Sequence, residues 1–211
     1  MQSHVRQTVS RCFAVLRQLR TVGLRRQVPT SVFQSLIVAL VLSRLDYCNS
    51  VLFGLPANLI QCLQSVQNAA AQLTFRIRRK EHITPALISL HWPRVPERIS
   101  FKLAVMTYRS IHGTSPSYLQ SCFTRVSDMT SRRRLRSSTS HRLDVMPVRL
   151  STVGRRAFPV SGATVWNDLP LLVASAPSLA VFRQRLKTFL FSVPTKTLSY
   201  DSCHVVCYYH H

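Results

Sequence analysis

Between Pro56 and Arg78 the apolar residues Leu59, Leu63, Val66, Ala70, Leu73 and Ile77 recur at spacings of four and three in alternation. On a strand that spacing would scatter them over both faces. On an α-helix it holds them in one narrow stripe for about five turns. Such a stripe is the packing seam of one helix against others, so the fold expected is mainly α, a helical bundle. Gly54 and Pro56 set the start of this helix over 56–77. Gln61, Gln64, Gln67, Asn68 and Gln72 fall off the seam as a polar face. The helix runs out into Arg76, Arg78, Arg79 and Lys80. Cations suit the last turn of a helix through its dipole. Four in five residues exceed what that role needs, and they become candidates for an anionic partner.

The rest of the chain repeats the helical pattern. The first stretch sets Arg6, Arg11, Arg17, Arg20, Arg25 and Arg26 among Val5, Val9, Phe13, Leu16 and Leu19, which predicts a basic amphipathic helix. Pro29 and Thr30 interrupt it. The segment 31–47 is apolar almost all round, with Val32, Phe33, Leu36, Ile37, Leu40, Val41 and Leu45, and predicts a central helix packed through Leu36 and Leu40 against Leu63, Val66 and Leu73. Thr84-Pro85 and Ser115-Pro116 each pair a capping residue with a proline suited to the first helical position. Pro93 and Pro96 bracket a turn before a helix that carries Glu97 in its first turn and is closed near Gly113. The Ser/Thr/Arg stretch 124–142, with Arg132, Arg133, Arg134 and Arg136, predicts a basic loop. The valine-rich, Pro- and Gly-punctuated run 143–170 predicts short extended segments or a small hairpin. A last amphipathic helix follows Pro177, capped by Ser178, with Leu179, Phe182, Leu186 and Phe189 on one face and Arg183, Arg185 and Lys187 on the other. The regions are therefore 1–80 (helical), 81–124 (further helices), 125–170 (basic loop and extended segments), 171–193 (C-terminal helix) and 194–211 (tail).

Charge decides the class of partner. The 211 residues hold 28 Lys and Arg against 7 Asp and Glu, a net charge of +21, and 24 of the cations are arginine. Codon bias would exchange Lys for Arg but would not remove acids. Arginine offers a planar fork to phosphates and stacks on bases, so RNA and RNA/DNA duplex, bound without regard to sequence, are the expected partners. The candidate contacts are Arg11, Arg17, Arg20, Arg25, Arg26, Arg76, Arg78, Arg79, Lys80, Arg132, Arg133, Arg134 and Arg136. The longest apolar run, 36–42, falls far short of the roughly 20 residues a membrane helix needs. Six cysteines without a CxxC pair predict reduced, mostly buried thiols in an intracellular protein, nuclear or cytoplasmic.

The chemistry of catalysis finds no foothold in this pattern. Polymerase or nuclease sites hold Mg²⁺ on two or three clustered carboxylates, whereas Asp46, Glu81, Glu97, Asp128, Asp144, Asp168 and Asp201 stand apart in the sequence. No glycine-rich phosphate loop and no nucleophile elbow is present. Cys203, Cys207, His210 and His211 have zinc-ligand chemistry but lack the scaffold of two ligand pairs, and read as a tail. No catalytic residue, cofactor, metal or small-molecule substrate is expected.

One further reading rests on likeness. The run Ser43-Arg44-Leu45-Asp46-Tyr47-Cys48-Asn49-Ser50, then Gly54-Leu55-Pro56 and Leu63-Gln64-Ser65-Val66-Gln67-Asn68-Ala69-Ala70-Ala71, resembles the C-terminal third of reverse transcriptases of non-LTR (LINE-type) retrotransposons, of the jockey and chicken-repeat group. His82-Ile83-Thr84-Pro85, Leu90-His91-Trp92, Pro116-Ser117-Tyr118-Leu119, Gly154-x-Arg156-Ala157-Phe158 and Trp166-Asn167-x-Leu169-Pro170 follow in the same order, and the likeness extends from about Ser3 to Phe191. It implies a thumb and post-thumb region lying after the polymerase palm, with the duplex-gripping role falling on the helices that carry Arg11 to Arg26 and Gln61 to Lys80. It nominates no catalytic residue. Trp92-Pro93-Arg94-Val95-Pro96 departs from the family's Trp-Leu-Pro-Val, and the tail after about Val193 is unrelated, which keeps a non-functional retroelement relic as the alternative. A mitochondrial presequence would also be Arg-rich and free of acids. It would have no reason to match a thumb from Ser3 onward.

Overall fold

The computed structural model describes residues 1–78, 81–129 and 141–192. In chain order these form α1 (Gln2–Thr21), α2 (Leu24–Gln27) and α3 (Thr30–Ile37), then a π-helical turn (Val38–Leu42) that runs straight into α4 (Ser43–Asp46). A 3₁₀ turn (Asn49–Leu52) leads to α5 (Ala57–Phe75), α6 (Thr84–Ser89), α7 (Val95–Ile111) and α8 (Ser117–Gln120). After a second 3₁₀ turn (Val126–Asp128) come α9 (Ser151–Gly154), α10 (Phe158–Asn167), α11 (Leu171–Ala174) and α12 (Leu179–Ser192). The fold is mainly α. Among the described residues the β-structure amounts to one isolated antiparallel bridge, Arg125 with Leu143.

Helix α5 is the axis of the first half, and α1 lies along it. Its Ala, Leu and Gln residues are strong helix formers. Leu59, Leu63, Val66 and Ala70 are buried as the seam requires. Each large side chain so buried contributes about 1.5–3 kcal/mol. The helix stops at Phe75 because Arg76 turns left-handed (φ 57°) and the Ile77 N–H returns 3.1 Å to the Gln72 carbonyl, a Schellman closure. It ends two residues before the periodicity predicts, and Ile77 packs on the core from outside the helix.

The glutamine face of α5 is not a solvated one. Gln67 is fully buried and donates through Nε2 to the Pro93 carbonyl at 2.8 Å, while Gln64 Oε1 accepts the Val95 N–H at 2.9 Å. The first turn of a helix leaves N–H groups without partners inside the helix. Here a side chain of α5 supplies one for α7, and this pair of bonds fixes the 93–95 corner onto the axis.

Helix α7 continues that contact into the second half, where α10 and α12 pack on it. Tyr108 is the hub: its ring stacks on Phe182 (centroids 4.4 Å apart) and its hydroxyl donates 3.1 Å to the Ala176 carbonyl. Trp166 packs on the same Phe182 ring. Buried side chains of both halves form one continuous core. Ser178 caps α12, accepting the Val181 N–H at 3.3 Å, as the sequence predicts.

Four expectations fail. The central helix over 31–47 is broken in register by its π-turn, which inserts one extra residue per turn locally. Phe33, Ile37, Val41, Leu42 and Leu45 take the core positions, Leu36 is half-buried, and Leu40 is turned outward at 38% exposure. In the run 143–170, residues 151–154 and 158–167 form helices instead of extended segments, while 143–150 is irregular chain joined to Arg125 by the bridge at Leu143. In α10, Gly162 approaches so closely that a Cβ would stand 2.6 Å from Thr107 Oγ1, so this glycine serves helix–helix contact where a strand break was expected. Packing thereby overrides the β-preference of the valines. At the short helices the cap residues shift by one: Pro116, not Ser115, precedes α8, and Ile83, not Thr84, precedes α6. The thiols also differ from expectation, since Cys12 is buried but Cys48 is exposed and Cys62 and Cys122 lie between.

Candidate nucleic-acid interface

The sequence-predicted arginines fall into distinct groups. At 100° per residue, Arg6, Arg17 and Arg20 lie within about 60° of one another on α1, whereas Arg11 lies on the opposite flank of the buried stripe. All four side chains are exposed. The single basic face expected for this helix is therefore two faces, separated by Val5, Cys12 and Leu16.

Arg25, unlike the arginines of α1, is engaged within the fold. Its Nε donates 2.8 Å to the Thr74 carbonyl in the last turn of α5, its Nη2 donates 3.0 Å to Thr30 Oγ1, and its guanidinium lies over the Phe33 ring at 5.8 Å. Those bonds draw α2 against the end of α5. Arg26 is thus held against the end of α5 from which Arg76 and Arg78 continue, some 50 residues away in sequence, and all three are exposed. Arg79, Lys80, Arg132, Arg133, Arg134 and Arg136 lie outside the described residues.

The flanks of the segment that holds the last four are well defined. The Val126 N–H donates 3.0 Å to the Arg142 carbonyl and the Asp144 N–H 2.9 Å to that of Thr124. Asn167 then exchanges two hydrogen bonds with the Leu143 backbone, both 2.9 Å, and Trp166 Nε1 donates 2.8 Å to the His141 carbonyl. The end of α10 therefore pins the returning chain.

Acids offset little of this charge. The Asp46 carboxylate accepts Arg98 Nε at 2.8 Å and Arg98 Nη2, with Asn49 Nδ2 at 3.3 Å beside it, which ties the end of α4 to α7. Glu97 sits in the first turn of α7. Burial pushes its pKa up, against the opposing pull of its own backbone N–H and of Arg94.

Sequence reasoning missed two residues. Arg44 and Tyr47 stand three apart around the end of α4, on one side of it, and face α1. With His4, Thr8 and Arg11 they line an open groove of about 560 Å³. Arg44 also lines an adjoining apolar groove with Val15, Leu19, Val22, Leu24 and Leu40. It lies close enough to Cys12 to pull that thiol's pKa down, although burial, the larger effect, pushes it up. The i, i+3 spacing of an arginine and a tyrosine was the available signal.

Among the described residues no helix is long and apolar enough to cross a membrane. Comparison with protein-family models, with characterised proteins and with solved structures finds no match to this chain.

Proposed function

We propose that this chain is a non-catalytic, sequence-independent binder of RNA and RNA/DNA duplex, corresponding to the thumb and post-thumb region of a non-LTR retrotransposon reverse transcriptase. The observation that supports the reading is the bond from Arg25 to the Thr74 carbonyl, which holds α2, with Arg26, against the end of α5 from which Arg76 and Arg78 continue. Exposed guanidinium groups on helices can hold a phosphate backbone, and phosphate contacts carry no sequence information. The likeness in sequence supplies the parent enzyme; the charge supplies the partner.

Titration of labelled RNA/DNA duplex at increasing salt tests it. Log affinity should fall linearly with log salt at about 0.7–0.9 per phosphate contact, and Arg76→Gln with Arg78→Gln should flatten that slope by about 1.5. Affinity that ignores salt sinks the reading. Incorporation of labelled nucleotide above a heat-killed control would overturn its non-catalytic part.

A further inference from the structure

We infer that the groove between α1 and α4 takes one unpaired nucleotide of a single strand, with the phosphate held by Arg11 and Arg44 and the base laid on Tyr47. This rests on the nucleic-acid reading above and adds a second kind of ligand, and a second place, to it.

The groove combines features that a duplex end-grip does not need. Tyr47, directly after α4, is 69% exposed. It leaves the helix with ψ 122°, at the point where the Asp46–Arg98 clamp stops α4. The ring is therefore presented from a fixed base. Arg11 and Arg44 line the same groove, as does His4, and none of the five lining residues is a carboxylate. The nearest acid in sequence, Asp46, is engaged by Arg98. Among the described residues no carboxylate lines this groove, so the two guanidinium groups repel each other and an anion bound there relieves the repulsion. A phosphate answers that charge and can accept from both forks, with the Thr8 hydroxyl at hand as a further donor. Beside it an aromatic face lies open, and base–aromatic stacking is indifferent to which base arrives.

In a duplex each base face is covered by its neighbours, so only a single strand can satisfy ring and cations together. An acidic peptide would satisfy the cations and leave the ring unused. The adjoining groove walls of Val15, Leu19 and Leu40 continue past Arg44 and offer apolar surface to the next base. Leu40 reaches that wall because the π-turn moves it out of the core.

The test uses the full chain and two fluorescent probes, an oligouridylate of about twelve nucleotides, whose bases stack weakly, and an RNA/DNA duplex of the same length. Tyr47→Ala should weaken the oligouridylate about tenfold and leave duplex affinity and the thermal midpoint unchanged, because the ring is exposed. Tyr47→Phe should bind as the parent does. Arg11→Gln with Arg44→Gln should lower the oligouridylate salt slope by about 1.4, two contacts at the single-strand value. Equal binding of oligouridylate by parent and Tyr47→Ala, or equal loss for both probes, overturns this inference and leaves the duplex reading standing. Displacement of the oligouridylate by polyglutamate as readily as by unlabelled oligonucleotide makes the groove a general anion or peptide site, and also overturns it. Failure of the parent to bind either probe at low salt removes both readings together.

Discussion

At the scale of single residues, Glu97 shows a conflict between position and surroundings. A helix N-terminus favours a carboxylate, yet burial raises the pKa of this one, and its Oε2 is buried with no partner. The folded state therefore prefers the protonated acid. Its contribution to stability is complete below the unfolded pKa of about 4.3 and is lost as the pH rises through the higher folded value. Glu97→Gln should be more stable than the parent at pH 7, with the difference gone below about pH 4; urea midpoints at the two pH values check it. Asp46 and Arg25 teach a complementary lesson. The sequence shows a lone acid and one arginine among six, and neither betrays that it is consumed by Arg98 or by the Thr74 carbonyl. Long-range hydrogen bonds of this kind leave no periodic trace. For that reason the bracing bonds of Arg25 were not legible in the sequence.

At the scale of elements, what was legible followed from period. The seam of α5 and the face of α12 carry their burial in their spacing, and Leu63 and Phe182 lie where that spacing puts them. Leu63→Ala should cost about 2–5 kcal/mol, because the side chain is 2% exposed and leaves a cavity. The parallel reading of Leu40 fails, since a π-turn adds a residue without altering the apolar pattern around it. Leu40→Ala should cost well under that, about 1 kcal/mol or less, and a chemical-denaturation comparison of the two variants tests the register directly. The α7–α10 contact makes the same point for backbone approach. Gly162→Ala should destabilise by about 1–3 kcal/mol, because the added methyl meets Thr107 Oγ1 and the Phe123 ring, at 2.6 and 2.8 Å, inside the core. A melting temperature equal to that of the parent would show that the two helices part freely. Run 143–170 misled for a related reason: proline, glycine and valine mark extended chain in isolation, whereas here the prolines open α10 and α11 and the glycine admits a neighbour.

For the whole molecule, net charge announced the class of partner proposed, while the arrangement of that charge had to come from the fold. Arg11 and Tyr47 are 36 positions apart and meet only because α1 and α4 share a flank. The spacing of Arg44 and Tyr47 put a ring near one cation, but nothing in the sequence brought Arg11 to it. The clamp formed by Thr124, Val126, Arg142 and Asp144 carries a different consequence. The bridge sets Val126 beside Arg142 and Thr124 beside Asp144, and Asn167 holds Leu143, so the ends of the chain that runs between them are fixed. To the folding equilibrium that stretch is a closed ring, whose length enters only as a logarithm. Exchanging residues 130–140 for a Gly-Ser linker of half the length should therefore leave the melting temperature in place, and the salt slope for duplex should drop by about two to three contacts if those arginines touch phosphate. A melting temperature that holds would make the span between the clamped ends an interchangeable cassette, open to change in length or in charge.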